Sequence, residues 1–426
     1  MKYFWLIILF TVFVCKSQAQ EHNNVNSNSQ KVNDSIKKGE FLNYIGNGYY
    51  PTKYFNFDLR YLIKFNQYEG FRTGLGGVTN ENFSETFRLQ WHTVYGFLDH
   101  RFKYSFGGGV LVAKKTNTWI SLLYLDDLEE SGSSIFLTDK RFFQFFEPRL
   151  LNIDLFHKII SKTLSVEHQL NSKILTETQF SVNKIDPTYN YTFSPNNTQS
   201  FESYNLTLLK ISAQWNPFSK YKKIQNKIKE TKSGYPKFTI QYTQSFADVF
   251  KGDFNFSKFD FRAIQHFKHK NETRTEIVFS SGIAKGKTPL SHLYHAYPNN
   301  VNKETILQRF SVAGLNSFET MYFNEFFSDR FAIFQIKHHL RPFNISPWFK
   351  PQLVLISRFA IGNMNNIDRH KGITFDTLEK GYSESGFEIS KLLFGFGLSF
   401  AYRYGAYHLS EFEDNFAFKF TFNVTL

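Results

Sequence analysis

Charged residues in this chain alternate with apolar ones along several segments, which gives each segment one polar side and one apolar side. Arg88, for example, lies between Phe87 and Leu89. Alternate side chains of a strand point to opposite faces, so such charges could line one shared interior surface. The charged residues on the polar side of their segments are Arg72, Arg88, Lys103, Asp260, Arg262, Glu276, Arg403 and Lys419.

A charged interior of this kind has two interpretations. If the segments close into a barrel, a basic lumen selects ions or solutes by their charge. If the barrel is narrow or plugged, the same cations pair with Asp and Glu and hold the interior together. The sequence alone leaves both interpretations open.

Two pairs of closely spaced histidines are candidate metal ligands. A metal site needs several imidazoles or carboxylates that converge on one ion. His292 and His295 fall in a predicted outer loop, while His338 and His339 are adjacent and so point to opposite faces of a strand. The sequence therefore predicts no metal site.

The common catalytic motifs do not occur in this sequence. The chain has neither a Gly-x-Ser-x-Gly elbow nor a Gly-x-x-x-x-Gly-Lys phosphate loop. Its many serines and 13 histidines single out no Ser–His–Asx arrangement. We therefore expect no catalytic residues, no cofactor and no enzyme activity, with membrane lipid hydrolysis kept as a minor alternative.

The elements that position these charges are predicted to be long strands. Segments of period two include FRLQWHTVYGF, RFKYSFGGGV, KFTIQYTQSF, GLSFAYRY and the terminal FAFKFTFNVTL. Each has about ten residues, the length that a tilted strand needs to cross a bilayer. DRFAIFQIKHHL is less regular, because Phe331 and Ile333 have the opposite parity to Phe334 and Ile336.

Composition supports the same fold class. Aromatic residues make up 19% of the chain, yet the mean hydropathy is −0.36. Apolar residues spread out by alternation are typical of a transmembrane β-barrel. We predict an all-β transmembrane antiparallel β-barrel of 16 to 18 strands; the alternative is a soluble β-sandwich or propeller, whose strands average about five or six residues.

The N-terminus predicts export. Lys2 precedes an apolar run that ends before Ser17-Gln18-Ala19, a pattern typical of a cleaved signal peptide. Three segments are predicted: a signal peptide (1–19), a flexible periplasmic lead (20–47) and the barrel (48–426). Cys15 is the only cysteine and lies in the predicted signal, so disulfides are not expected.

The net charge of +13 could indicate a nucleic-acid partner, but no DNA-reading helix or RNA-binding signature accompanies it. No nucleic-acid partner is predicted. In an exported protein, anionic lipid head groups or an anion-lined path are the expected counterparts.

Connection lengths predict which end of the barrel faces outward. The last strand of a bacterial barrel normally ends in the periplasm, where the turns are short. Counting back from Leu426 places five long connections outside: Asp126–Leu155, Asp186–Ser200, Ala284–Glu304, Ile361–Tyr382 and Tyr404–Asn415. The short ones at Lys268–Asn271, Arg341–Phe349 and Phe394–Gly395 fall inside.

One connection is an exception, because Pro217–Tyr235 is long but falls on the periplasmic side. It carries six lysines around Ile224 and Ile228. We considered a basic amphipathic helix that touches anionic head groups or a periplasmic partner, and a solvated turn.

Several segments resemble a family of outer-membrane proteins. In that family a C-terminal barrel, a domain of unknown function, usually follows a carboxypeptidase-regulatory-like β-sandwich. The matching segments are Glu69-Gly70-Phe71-Arg72, Gly74-Leu75-Gly76, Tyr95-Gly96, Asp99, Arg101-Phe102-Lys103-Tyr104, GYSESGFEISKLL, and Glu325-Phe326 with Ser328-Asp329-Arg330. The resemblance adds Glu69 and Glu325 to the candidate lumen residues, and it groups both with Arg72.

That barrel is similar, more distantly, to the Omp85 superfamily, whose members insert or translocate proteins. Ala313-Gly314-Leu315-Asn316 with Glu325 resembles its Gly-Gly-Asn and Glu pattern, whereas Ala284–Glu304 lacks the Val-Arg-Gly-Phe-type motif of its lid loop. The resemblance implies outer-membrane lipids and lipopolysaccharide as partners. It also implies barrel-assembly machinery during insertion, and it allows a periplasmic protein partner.

Two functions therefore remain. The first is an Omp85-like role in outer-membrane biogenesis or in protein or lipid export, exerted through the barrel seam and its partners. The second is a passive or gated pore for small solutes, or a surface structural protein.

Overall fold

A computed structural model describes residues 44–45 and 48–422, except 138, 140–148, 150–151, 154, 197, 225–226, 302–310, 347–348 and 394–395. The predicted signal peptide, nearly all of the lead and residues 423–426 lie outside the described residues. No helix in the described part of the chain is long and apolar enough to cross a membrane.

Strands dominate the described chain. The first group is β1 (Tyr49–Pro51), β2 (Phe55–Asp58), β3 (Ile63–Asn66), β4 (Gly70–Thr79), β5 (Phe87–Gly96), β6 (Arg101–Ala113), β7 (Thr118–Glu130), β8 (Phe156–Asn171) and β9 (Ile174–Pro187). The second is β10 (Thr192–Asn196), β11 (Gln199–Phe201), β12 (Tyr204–Trp215), β13 (Lys220–Ile224), β14 (Lys227–Lys232), β15 (Lys237–Phe246), β16 (Phe256–Lys268), β17 (Arg274–Gly286) and β18 (Pro298–Asn300). The third is β19 (Ser311–Val312), β20 (Phe318–Tyr322), β21 (Arg330–His339), β22 (Gln352–Asn363), β23 (His370–Lys371), β24 (Tyr382–Leu393), β25 (Phe396–Tyr404) and β26 (Phe416–Phe422). Short 3-10 turns occupy Leu59–Tyr61, Leu290–His292, Ile367–Arg369 and Phe412–Asn415.

The long strands form one antiparallel sheet. Fifteen strands follow one another in this sheet, and each pairs with the next one in the series. The series is β4 to β9, β12, β15 to β17, β21, β22 and β24 to β26. β2 and β3 both pair with β4 and together form the first stave, interrupted by the 3-10 turn Leu59–Tyr61. These fifteen strands and the first stave give 16 staves in the described residues, which confirms the predicted strand number and the all-β barrel class.

Alternation in the sequence becomes an inside and an outside of this wall. In β6, Phe102 and Phe106 are 62% and 63% exposed, whereas Lys103 and Ser105 are 1% and 7% exposed. The apolar side chains therefore cover the outer face, and the polar ones turn inward, as a barrel with an apolar exterior requires.

The connections fall at two ends of the sheet. The short-turn end carries 80–86, 114–117, 172–173, 216–236, 269–273, 340–351 and 394–395. The long-loop end carries 67–69, 97–100, 131–155, 188–203, 247–255, 287–329, 364–381 and 405–415. Every connection predicted to lie outside is at the long-loop end, and every one predicted inside is at the short-turn end. The exception, 216–236, contains the hairpin β13–β14 and not the amphipathic helix that we considered.

The long loops pack into a hydrophobic core at their end of the barrel, which we call the cap. Its buried residues include Phe193, Phe254, Leu290, Phe327 and Leu378, which come from four different connections. Several wall residues also belong to the cap, among them Phe331 and Ile333 of β21. Their place in the cap explains why the alternation of β21 is irregular. Those two side chains turn inward because the cap offers them an apolar surface.

The seam between the last strand and the first stave is bordered by two short strands. Besides β25, β26 pairs with β19, a parallel two-residue strand from the long connection 287–329. Besides β4, β2 pairs with β1. In the described residues no ladder joins β26 to the first stave.

Candidate functional site

The candidate lumen residues of the first strands form one ion-pair cluster. Lys103 Nζ lies 2.6 Å from Glu69 Oε1 and 2.6 Å from Asp99 Oδ2. Arg72 donates two hydrogen bonds of 2.7 Å to the two carboxylate oxygens of Asp127, and its Nη1 lies 3.4 Å from Glu69. Lys103 and Glu69 are each 1% exposed. These charges neutralise one another at short range, as in the plugged interpretation.

Asp260 and Arg262 on β16 bind the inward loops. Asp260 Oδ1 accepts a hydrogen bond of 2.6 Å from the hydroxyl of Tyr294. Arg262 donates to Asp139 Oδ1 at 2.6 Å, and its guanidinium lies 4.0 Å from the ring centre of Phe136. Both wall residues therefore anchor loops that fold into the interior.

Arg88 and Glu276 contact the wall itself. Arg88 donates to Ser121 Oγ at 3.4 Å and lies over the ring of Trp119. Glu276 Oε1 lies 3.0 Å from Arg274 and 3.4 Å from His339 Nε2. Neither residue reaches a loop through these contacts.

Glu325, Arg403 and Lys419 belong to a third cluster, on the last strands. Arg403 donates to Glu325 Oε1 at 2.6 Å. Lys419 Nζ lies 3.4 Å from Glu319 Oε2 and donates to the backbone oxygen of Asn299. The predicted grouping of Glu325 with Glu69 and Arg72 is not found in these contacts, because Glu325 takes Arg403 as its ion-pair partner.

The carboxylates of this third cluster come largely from residues 311–325, which we call the inward segment. Its first two residues, β19, pair with the edge of β26, and residues beyond them lie against the inner face of the wall. Gln335 Nε2 donates to the backbone oxygen of Asn316 at 2.5 Å, and Lys337 donates to that of Leu315. Directly after β19, the backbone NH of Ala313 donates to Phe420 O at 2.6 Å.

Glu384 on β24 makes a fully buried contact with the inward segment. Its Oε2 accepts hydrogen bonds from the backbone NH and the hydroxyl of Thr320, at 2.7 and 2.6 Å. Its Oε1 accepts one from Arg358 Nη1 at 2.5 Å. Glu384 is 0% exposed and Arg358 is 3% exposed. The charge of the wall arginine is thus neutralised by the same carboxylate that holds the loop.

Sequence reasoning missed Glu319, Arg358 and Glu384. The alternation signal was weak at Arg358, because Val354 and Ile356, which share its parity, are as apolar as the residues of the opposite parity. No periodicity could have indicated Glu319, because it lies in a loop and becomes interior only when that loop folds inward.

A hydrogen-bond chain joins three connections of the cap. The backbone NH of Leu290 donates to the hydroxyl of Tyr191 at 2.9 Å, and that hydroxyl lies 2.9 Å from His370 Nδ1. The hydroxyl of Tyr191 can accept from Leu290 and donate to Nδ1 of a neutral His370 that carries its proton on Nε2. Burial lowers the pKa of His370 to about 4.

His370 was not among the candidate metal ligands. The histidines that were candidates have separate partners. His295 Nε2 lies 2.7 Å from Glu130 Oε1, and His338 Nδ1 lies 2.9 Å from Thr275 Oγ1. In the cap, His292 Nδ1 lies 2.9 Å from Ser291 Oγ. Among the residues that the structure describes, no group of three or more His, Cys, Asp or Glu side chains could hold a metal ion.

A cavity of about 1530 Å³ lies below the cap. At the short-turn end its lining includes Asn117, Lys173 and Pro342. Towards the cap its lining includes Ile135 and Tyr297, which belong to inward loops. Charged groups of both signs line this space, so it suits a polar occupant or water.

Comparison with solved structures supports the fold. The chain is 8% identical to a BamA structure from Haemophilus ducreyi that lacks POTRA domains 1–3, with a TM-score of 0.52 over 96% of this chain and 80% of that one. CdiB from Acinetobacter baumannii has 11% identity and a TM-score of 0.41 over 84% and 57%. OmpT of Vibrio cholerae has 9% identity and a TM-score of 0.30 over 78% and 89%.

A comparison with curated proteins gives no match. The match to BamA is a likeness of fold, and it agrees with the antiparallel sheet and the predicted barrel. A family model, by contrast, matches residues 39–343, from before the first stave into the connection after β21. Since that match spans well over half of the sequence, the chain belongs to the family of unknown function DUF5686, within its C-terminal domain.

Proposed function

We propose that this protein is an integral outer-membrane barrel that acts in outer-membrane biogenesis or in protein or lipid export, through its seam. The observation that carries the proposal is the pairing of β26 with β19. An edge that accepts a short strand from a loop can exchange it for an extended segment of another chain, because both make the same backbone hydrogen bonds.

The register at the seam supports this role. Ser311 is opposite Lys419, an inward residue that is 1% exposed, and Val312 is opposite Phe420, which is 43% exposed on the outer face. β19 therefore continues the wall for two residues. Its short ladder offers few hydrogen bonds, so its exchange would cost little compared with separating two full staves.

The alternative function is a passive or gated pore for small solutes. The cavity of about 1530 Å³ favours it, since polar and charged side chains line that space. The packed cap and the inward segment favour the seam role, because they occupy the interior at the long-loop end. Neither role requires catalysis or a cofactor. In either role, the proposed partners of the protein are lipopolysaccharide, membrane lipids and, during insertion, barrel-assembly machinery.

Two measurements distinguish these functions. In planar bilayers, the purified protein should give little stable conductance, because the cap fills one end. In cells depleted of the protein, the amounts of other outer-membrane or exported components should fall. Large, stable conductance together with an unchanged outer-membrane composition would favour the pore and contradict the seam role.

A disulfide lock tests the seam directly. The paired substitutions Val312→Cys and Phe420→Cys place two cysteines opposite each other in a chain whose only native cysteine, Cys15, lies in the predicted signal. We expect the oxidised double variant to fail to complement the depletion and the reduced one to succeed. Each single-cysteine variant is the control, and full activity of the oxidised pair would refute exchange at this edge.

A further inference from the structure

The two ends of the barrel carry opposite charge. The connections of the short-turn end contain twelve Lys and Arg and four Asp and Glu, a net charge of +8. Those of the long-loop end contain ten Lys and Arg and eighteen Asp and Glu, a net charge of −8. The chain is thus polarised along its barrel axis, which its overall charge of +13 conceals.

The basic residues of the short-turn end, here called the collar, differ from those of the interior. Eleven of the twelve are lysines. All of the twelve except Lys270 lie on four connections with a net positive charge: 114–117, 172–173, 216–236 and 340–351. Those whose exposure is described are all exposed: Lys114, Lys115, Lys173, Lys220, Lys232, Lys270, Arg341 and Lys350. In the interior, by contrast, Lys103, Arg403 and Lys419 are each 1–2% exposed and ion-paired.

The hairpin β13–β14 concentrates this charge. Lys220–Lys232 contains six lysines and one acid, Glu230. The hairpin forms a two-stranded sheet of its own, in which Lys220 is registered opposite Lys232 and Lys222 opposite Lys229. Like charges opposite each other destabilise a ladder, so the hairpin gains stability from an external anion.

Apolar side chains accompany the collar. Phe218 is 64% exposed beside the hairpin, and Trp215 is 48% exposed at the end of β12. In the connection 340–351, Phe343 and Ile345 are 53% and 66% exposed. Aromatic residues next to lysines at the end of a membrane strand are typical of the membrane–water interface.

We propose that the collar binds the head groups of anionic phospholipids at the membrane surface of the short-turn end. Lipids fit better than one acidic protein because the charge extends over several connections and borders exposed apolar side chains. Mobile head groups can neutralise lysines at separate positions, whereas a protein would have to match their spacing. This inference is independent of the proposed seam role.

The test is the lipid preference of the full-length protein in bilayers. Spin-labelled phosphatidylglycerol and spin-labelled phosphatidylcholine are compared as probes of the lipids next to the protein, at low and at high salt. We expect the wild type to prefer phosphatidylglycerol by about fivefold at low salt, and the preference to fall as salt screens the lysines.

Two matched variants locate the effect. The collar variant changes Lys220, Lys222, Lys223, Lys229 and Lys232 to Gln, and the control variant changes Lys251, Lys285, Lys287, Lys371 and Lys380, at the long-loop end, to Gln. We expect the collar variant to lose most of the preference and the control to keep it. Circular dichroism confirms that both fold; if one does not, pairs of the same substitutions replace the full set.

Three results would overturn the proposal, and the third would assign the collar to a protein. The first is a wild type without preference for phosphatidylglycerol at low salt. The second is an equal loss in both variants, which would indicate a nonspecific effect of net charge. If the collar variant keeps its lipid preference and loses cross-links to an acidic protein, the collar binds that protein and the lipid assignment is wrong.

Discussion

Replacing Glu384 should release the inward segment from the wall. Glu384→Gln keeps the size of the side chain but removes the charge that neutralises Arg358, which is 3% exposed. Breaking a buried ion pair from one side costs about 3–5 kcal/mol, because the remaining charge stays buried without its partner. The same carboxylate accepts the backbone NH of Thr320, so part of this cost is relieved when residues 311–325 move away.

Hydrogen exchange followed by mass spectrometry measures that release. About 3 kcal/mol corresponds to a change of roughly a hundredfold in an opening equilibrium. Peptides covering residues 311–325 should therefore exchange about a hundred times faster in Glu384→Gln than in the wild type, whereas peptides from β8 and β9 should not change.

Two further variants make this prediction refutable. Glu276→Gln removes a carboxylate that pairs with Arg274 and His339 of the wall, and we expect no faster exchange in the inward segment. The double variant Arg358→Met with Glu384→Met leaves no lone charge, so it should be less destabilised than Glu384→Gln. Equal exchange of the inward segment in Glu276→Gln and Glu384→Gln would refute the reasoning. So would a double variant that is more destabilised than Glu384→Gln.

Three other changes test the cap, the wall and the seam. The pKa of His370 is lowered from 6.5 to about 4, so cap stability should start to fall as the pH drops below 6.5. The loss should reach about 2 kcal/mol at pH 5 and level off below pH 4; faster proteolysis of the cap at pH 5 measures it. His370→Gln, which can still accept from Tyr191, should remove the part of this dependence that belongs to His370. His292, another buried histidine of the cap whose pKa is lowered by burial, should keep its own part. Gly386→Val should lower the heat stability of the folded barrel, because a Cβ at this position overlaps the carbonyl oxygen of Phe400; unchanged stability would contradict that packing. Lys419→Met should leave its carboxylate partner in the inward segment unpaired, at a cost of about 3–5 kcal/mol, and increase conductance in planar bilayers; silence equal to the wild type would contradict this.

Alternation predicted the wall well because the two sides of each strand meet very different surroundings. Lys103 and Lys419 are among the most buried side chains, and their inward direction follows from parity alone. The same rule was misleading at Phe331 and Ile333, which are apolar yet point inward. Their direction depends on the cap, a tertiary feature that the periodicity of one strand does not encode.

The partners of the interior charges were much harder to predict. Glu325 could be assigned to the interior, but its pairing with Arg403 depends on how the connection 287–329 folds back. The hairpin β13–β14 was missed for a related reason. Its apolar residues Ile224 and Ile228 fit a helical spacing of four, and the strand register that separates them arises only when the two lysine-rich arms pair.

The two short strands at the seam also affect how the protein coexists with its neighbours. A bare strand edge invites edge-to-edge pairing with other barrels, and crowding increases that risk. β19 covers part of one edge and β1 covers part of the other. The chain thus carries its own protection against fusing with copies of itself, and a variant without β19 should form dimers before it loses its fold.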